Sequence, residues 1–208
     1  NIAAGALQTN NGNNAAAATA TLTVNSPAAV TVTKGNPVIA NVSGNTYTAQ
    51  YLITVSNTGG TAGTYTLTDT PAFPNTGVTL NSWVVSTTGG TLNPSLPGSP
   101  AVANNTAGQI SASGVSIAAG STSTPTTHTY TVTINFTTSA SATPLSCNGN
   151  PNNGAYNAAG ITGTSTTSGS GCGSLPGAPQ LTILKTASPT PFVVGQPASY
   201  TLTVTNTG

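Results

Sequence analysis

The segment from Ala49 to Gly59 has the sequence AQYLITVSNTG, and a close copy, ASYTLTVTNTG, occupies Ala198 to Gly208. Apolar and polar residues alternate in both copies, which is typical of a β-strand with one buried face. Each copy ends in Asn-Thr-Gly, and Asn and Gly favour tight turns. The segment predicts an all-β fold, and its recurrence predicts that the chain contains a repeat.

Two further pairs of segments give the length of this repeat. AVTVTK ends at Lys34 and QLTILK ends at Lys185, so the two lysines are 151 residues apart. NAAAATAT begins at Asn14 and resembles NAAGITGT, which begins at Asn157. Lys185 and Asn14 are therefore the positions equivalent to Lys34 and Asn157 in neighbouring repeats, and the repeat has about 150 residues.

The domain organisation follows from these offsets. We predict the C-terminal strand or strands of one repeat at residues 1–25, a complete repeat at residues 26–176, and the N-terminal strands of the next repeat at residues 177–208. Short segments that contain Pro separate them, and such joints limit bending between neighbouring domains.

The complete repeat contains about seven runs with strand periodicity, separated by Gly, Pro and Asn turn signals. This number of short strands in one domain is typical of an immunoglobulin-like antiparallel β-sandwich. The predicted strands lie near residues 28–34, 46–57, 62–69, 77–86, 107–117, 127–137 and 155–164.

The composition is almost free of charge, with two Lys or Arg and one Asp or Glu in 208 residues. Nucleic acids and anionic membrane surfaces are bound by clustered Lys and Arg, so neither is an expected partner. Calcium sites need several oxygen ligands, usually carboxylates, and no metal site or cofactor is expected. No apolar run approaches the roughly 20 residues of a membrane span, so no membrane insertion is expected in this segment.

The cysteine content points to the compartment. Cys147 and Cys172 are the two cysteines of the chain, and an isolated pair in a charge-poor β-protein favours one disulfide in an oxidising environment. We therefore expect a secreted, extracellular protein at a cell surface.

Three polar residues fall on the apolar faces of their predicted strands. Alternation places Lys34 on the inner face of the first strand, Asp69 on that of the third and Asn157 on that of the last. First and last strands are often neighbours in immunoglobulin-like folds, so the three side chains are expected to meet in the core.

Two interpretations of this trio stay open. Burial favours the neutral forms of Lys and Asp, so the amine of Lys34 could attack the Asn157 amide with Asp69 hydrogen-bonded to the amide carbonyl, forming a Lys–Asn isopeptide bond. Asn153 is the next candidate acceptor. Alternatively, Lys34 and Asp69 form a buried salt bridge and Asn157 completes its hydrogen bonds.

Other residues do not point to an enzyme. His128 begins an apolar face and has no cluster of metal ligands around it. A Ser-His-Asp triad would need Asp69, which Lys34 explains better, and no Gly-x-Ser-x-Gly motif is present. Trp83 is expected in the core. N-glycosylation sequons begin at Asn41, Asn104 and Asn135, so attached glycans are possible partners.

The sequence resembles the DUF11 repeat of bacterial and archaeal surface proteins over nearly its whole length. The motifs that carry the resemblance are Lys34 or Lys185 in the first strand, Tyr-x-Leu/Ile-x-Val-x-Asn-Thr-Gly, Thr68-Asp69-Thr70-Pro71, Cys147, Tyr156-Asn157-Ala158-Ala159 and Cys172. The resemblance implies an immunoglobulin-like domain, repeated in secreted adhesins, stalks and envelope proteins. The near absence of acidic residues departs from the usual pattern.

These observations favour a structural, non-catalytic module of an extracellular filament, fibre or stalk. Its expected partners are other copies of itself or adjacent repeats of the same chain. A binding module of an adhesin, with a glycan among the possible ligands, and a spacer domain in a larger secreted protein are the alternatives.

Overall fold

The structure is a computed structural model that describes residues 24–96, 103–188 and 190–207. In these ranges the chain forms β-strands and no helix, so no helix that could cross a membrane is found there. The strands are β1 (Val30–Lys34), β2 (Val38–Ser43), β3 (Thr46–Asn57), β4 (Gly63–Pro71), β5 (Thr76–Thr88), β6 (Gly108–Gln109), β7 (Val115–Ile117), β8 (Thr126–Thr143), β9 (Ala155–Gly163), β10 (Thr167–Gly173), β11 (Leu181–Ser188) and β12 (Ser199–Asn206).

Ten of these strands form two antiparallel sheets. The first sheet has the order β1-β3-β8-β5, and β2 pairs with the other half of β3 on the same side as β1. The second sheet has the order β10-β9-β4-β6, and β7 pairs with β4 beside β6. The predicted all-β antiparallel sandwich is confirmed.

The core lies between the two sheets and is built by the period-two alternation of each strand. Along β3 and β8 every second side chain is buried, and the intervening positions are mostly Thr. Aromatic residues fill the centre, where Phe136 stacks on Tyr47 and packs at a tilt against Phe73. Trp83 is also buried, as expected, and its ring lies against Gly108.

The Asn-Thr-Gly motif has a structural role at the end of β3. The Asn57 side chain is fully buried, accepts hydrogen bonds from Ala29 N and Gly59 N, and donates to the carbonyls of Thr61 and Ala118. A side chain on Gly59 would collide with the Pro27 carbonyl, because a Cβ there would lie 2.0 Å from it. The motif therefore fastens the start of β1 to the turn after β3.

Three parts of the strand prediction were incomplete, and the first is β2, which no predicted run covered. The run predicted at residues 107–117 is split into β6 and β7, because Ile110 N and Ser111 N both donate to Leu67 O, and Gly114 takes a left-handed φ of 63°. The last strand of the sandwich is β10 rather than β9. Its Ser-Gly-Ser-Gly sequence has low β-propensity, which explains why the sequence did not predict it.

Strands β11 and β12 form a separate two-stranded sheet. Leu181 pairs with Asn206 and Ile183 with Val204, which is the register that joins Val30 to Asn57 and Val32 to Val55 in the first sheet. The predicted domain boundaries stay a prediction, and most of residues 1–25, with Asn14, lies outside the described residues.

A disulfide joins Cys147, in the loop before β9, to Cys172 on β10, as predicted. Their Cα atoms are 5.8 Å apart. A disulfide is consistent with an extracellular location.

We expect reduction of this disulfide to lower the free energy of unfolding by roughly 3 kcal/mol, because the bond closes a loop over a sequence separation of 25 residues in the unfolded chain. Urea denaturation with and without reductant measures the change, and a double variant, Cys147→Ser with Cys172→Ser, should not respond to reductant. Equal stability of the wild-type chain in both conditions would contradict this expectation.

Candidate functional site

The two sheets bring three polar side chains together in the core. Lys34 is the last residue of β1 in the first sheet, whereas Asp69 on β4 and Asn157 on β9 belong to the second sheet. The side chains of Lys34 and Asp69 have no exposed surface, and Asn157 is fully buried. The three inward-facing positions predicted by alternation therefore converge on one site that bridges the sandwich.

The Asp69 carboxylate lies between the other two groups. Its Oδ1 accepts a hydrogen bond from Lys34 Nζ, and its Oδ2 accepts one from Asn157 Nδ2 at 2.9 Å. The expected hydrogen bond from Asp69 to the Asn157 carbonyl is not the observed one, because the amide nitrogen faces Asp69 instead. Asn157 Oδ1 is buried and has no hydrogen-bond partner among the described residues.

Burial dominates the electrostatics of the pair. Removal from water lowers the pKa of Lys34, and the nearby Asp69 carboxylate opposes this change only in part. Burial also raises the pKa of Asp69, against the effects of Lys34 and of the hydrogen bond from Asn157. Both directions weaken the preference of this pair for its charged forms.

The aromatic ring of Tyr51 packs against the Lys34 amine. Its ring centroid lies 4.7 Å from Lys34 Nζ, and its hydroxyl donates to Ala155 O at 2.8 Å. Burial raises the pKa of Tyr51 well above its ordinary value, so the phenol stays neutral. The ring therefore holds the Lys34 amine in place without adding a charge.

Strand β10 closes the site at the edge of the sandwich. A Cβ on Gly169 would lie 3.0 Å from Lys34 N, and one on Gly171 would lie 1.9 Å from Gly35 O. Next to these contacts, Val32 N donates to Thr167 Oγ1 at 3.1 Å. Because Gly169 and Gly171 have no side chains, β10 at the edge of the second sheet can contact β1 at the edge of the first sheet. This contact keeps water away from Lys34.

The other candidate residues lie elsewhere. Asn153 is in the loop before β9, where its side chain donates to Pro151 O, so it is not part of this cluster. Lys185 is exposed on β11, with its Nζ 4.4 Å from the Tyr200 ring centroid. Sequence reasoning missed Tyr51 and the glycines of β10 as parts of the site. The alternation of Gly with Ser in β10 was the available signal.

A second buried polar group lies on β4 and β8. The hydroxyl of Tyr65 is 2.8 Å from His128 Nδ1 and 2.8 Å from the Tyr130 hydroxyl. Burial lowers the pKa of His128 and raises those of both tyrosines, so all three side chains are neutral near pH 7.

We expect the free energy of unfolding to fall as the pH drops below the unfolded-state His pKa of 6.5. With a lower pKa in the folded state, the unfolded chain binds more protons in this window, so stability is full above pH 6.5 and is lost on acidification. Urea denaturation at several pH values measures the loss. His128→Asn removes the titrating group and should flatten the curve, and an equally steep curve in that variant would contradict the assignment.

Comparisons of the chain with models of known families, with curated proteins and with solved structures find no match. The described residues contain no group of three or more His, Cys, Asp or Glu that could hold a metal ion. The fold and the site together define an all-β sandwich with a buried Lys-Asp-Asn cluster between its sheets. The resemblance to the DUF11 repeat stays a prediction.

Proposed function

We propose that this chain is a structural, non-catalytic module of an extracellular filament, fibre or stalk, in which a covalent Lys34–Asn157 bond joins the two sheets. The observation that carries the proposal is the fully buried cluster in which one carboxylate contacts both the amine and the amide. Asp69 is the only acidic residue of the chain, and because it is buried, no external substrate can reach it. Such a cluster suits a reaction within the chain.

The bond would form by attack of the neutral Lys34 amine on Cγ of Asn157. The new C–N bond replaces the Cγ–Nδ2 bond, and Nδ2 leaves as ammonia. Asp69 first takes the ammonium proton of Lys34, which leaves a neutral amine and a neutral acid. As the amine attacks, Nζ loses one more proton to Asp69, and Asp69 gives one proton to Nδ2, which its carboxyl group already contacts. Nζ keeps one hydrogen, ammonia leaves, and Asp69 remains the neutral acid, so the reaction needs no cofactor or oxidant.

The architecture supports the mechanical part of the proposal. The strand orders β1-β3-β8-β5 and β10-β9-β4-β6 resemble the two sheets of an immunoglobulin constant-type sandwich with additional strands, which supports an immunoglobulin-like module. In such a sandwich, tension on the chain ends acts first on the edge strands. A bond from β1 to β9 would carry that tension across the sandwich before its hydrogen bonds open, and the disulfide would hold β10 in the same way.

Pulling single molecules of the full chain between its two ends tests this function. In the wild-type chain, we expect the residues between Lys34 and Asn157 not to extend, because the applied force passes through the crosslink and bypasses them. Asp69→Asn should restore the extension of residues 34–147 at low force, while the disulfide loop between Cys147 and Cys172 stays closed in both proteins. Extension of residues 34–147 in the wild-type chain at the same low force would refute the mechanical role.

A further inference from the structure

The β11–β12 hairpin repeats the pairing of β1 with β3. Lys185 pairs with Leu202 as Lys34 pairs with Ile53. Gln180 N donates to Asn206 Oδ1 as Ala29 N donates to Asn57 Oδ1. Both lysines also lie over a tyrosine ring of the partner strand. The β11–β12 hairpin therefore has the same arrangement of side chains on this face as β1 and β3, and it suits the same kind of covering sheet.

No other strand covers that face of the β11–β12 hairpin among the described residues. Ile53 and Val55 are 0% exposed in the sandwich, whereas their counterparts Leu202 and Val204 are 62% and 60% exposed. Leu181, Ile183 and Tyr200 are also more than half exposed on this face. An apolar sheet face of this kind marks a surface that another element covers.

The charge of Lys185 restricts what can cover the face. Its Nζ lies over Tyr200 among the apolar side chains, so a covering sheet would bury the ammonium group, and a buried unpaired charge is strongly unfavourable. The single acidic residue of this chain, Asp69, is itself fully buried and bonded to Lys34. The folded sandwich therefore has no free side-chain carboxylate to offer to Lys185.

We infer that the face of β11–β12 formed by Leu181, Ile183, Lys185, Tyr200, Leu202 and Val204 docks a β-sheet that brings its own inward carboxylate to Lys185. The partner has the chemistry of the β4–β9 layer, with an apolar inner face, one acid and a neighbouring side-chain amide. Docking itself does not depend on the crosslink. Covalent capture of the partner through Lys185 rests on the proposed function.

A chimera tests whether the face fits such a layer. In the full chain, residues 30–57 are replaced by a copy of residues 181–206, so that the copied lysine takes the place of Lys34 opposite Asp69. We expect a cooperatively folded domain whose thermal midpoint falls sharply when Asp69→Asn is added. Failure of the chimera to fold would overturn the inference, as would a fold that is indifferent to Asp69→Asn.

Two variants of the chimera test the role of the copied lysine. Lys185→Met in the copied segment should lower the thermal midpoint as Asp69→Asn does, because each variant leaves the other charged group buried without its partner. Leu184→Ser in the copied segment, on the other face of the strand, is the matched control and should leave the midpoint unchanged.

The mass of the chimera separates docking from crosslinking. A chimera that needs both charged groups for its stability and is lighter by one ammonia than its sequence supports both. A chimera that needs both charged groups but keeps its full mass supports docking and refutes the crosslink chemistry. A thermal midpoint indifferent to both charge variants overturns the inference.

Discussion

Asp69→Ala is expected to restore the full mass of the chain and to lower the free energy of unfolding by about 3–5 kcal/mol. The carboxylate contacts both the attacking amine and the leaving nitrogen, so its removal stops proton transfer between them. It also leaves the Lys34 side chain buried without its partner. Intact mass spectrometry after reduction and urea denaturation measure the two effects.

Two further variants separate the crosslink from a buried salt bridge. Asp69→Asn keeps the shape of the side chain but cannot carry the proton, so it should also have full mass. Thr70→Ala, at the next position on the opposite face of β4, should keep both the wild-type mass and nearly the wild-type stability. If the reduced wild-type chain has its full mass, no crosslink forms and the cluster is a buried ion pair.

Gly171→Ala is expected to destabilise the sandwich by about 3 kcal/mol or more, which exceeds most substitutions that overfill a core. The added Cβ would lie 1.9 Å from the Gly35 carbonyl, and a backbone atom cannot turn aside as a side chain can. Relief requires β10 to move away from β1, which would admit water to Lys34. Urea denaturation gives the stability, and the yield of the lighter, crosslinked mass should fall at the same time.

Ser170→Ala is the matched control for this prediction. Ser170 is the preceding residue of β10 and is exposed on its other face, so the same side chain there meets no such obstacle. Its stability and crosslink yield should be those of the wild-type chain. Equal behaviour of the two alanine variants would show that contact between β10 and β1 does not close the site.

The elements with strong period-two patterns were predictable because alternation is a local property of a strand. Strands β1, β3, β4, β5, β8 and β9 lie close to their predicted positions. The inward direction of Lys34, Asp69 and Asn157 followed from the same alternation, since each shares a face with Val, Tyr, Leu or Ile neighbours. Strand β10 escaped prediction because its glycines are used for close approach and bury no apolar side chain.

The sequence by itself determined the all-β class, the disulfide pair and the three polar residues that face the core, because each depends on composition or on neighbours along one strand. Only the tertiary structure decided that Lys34 comes from one sheet and Asp69 and Asn157 from the other. It also decided which Asp69 oxygen contacts which nitrogen, and that Gly171 closes the edge beside Lys34. These features depend on how two sheets pack across contacts far apart in the chain, and strand periodicity carries no information about that packing.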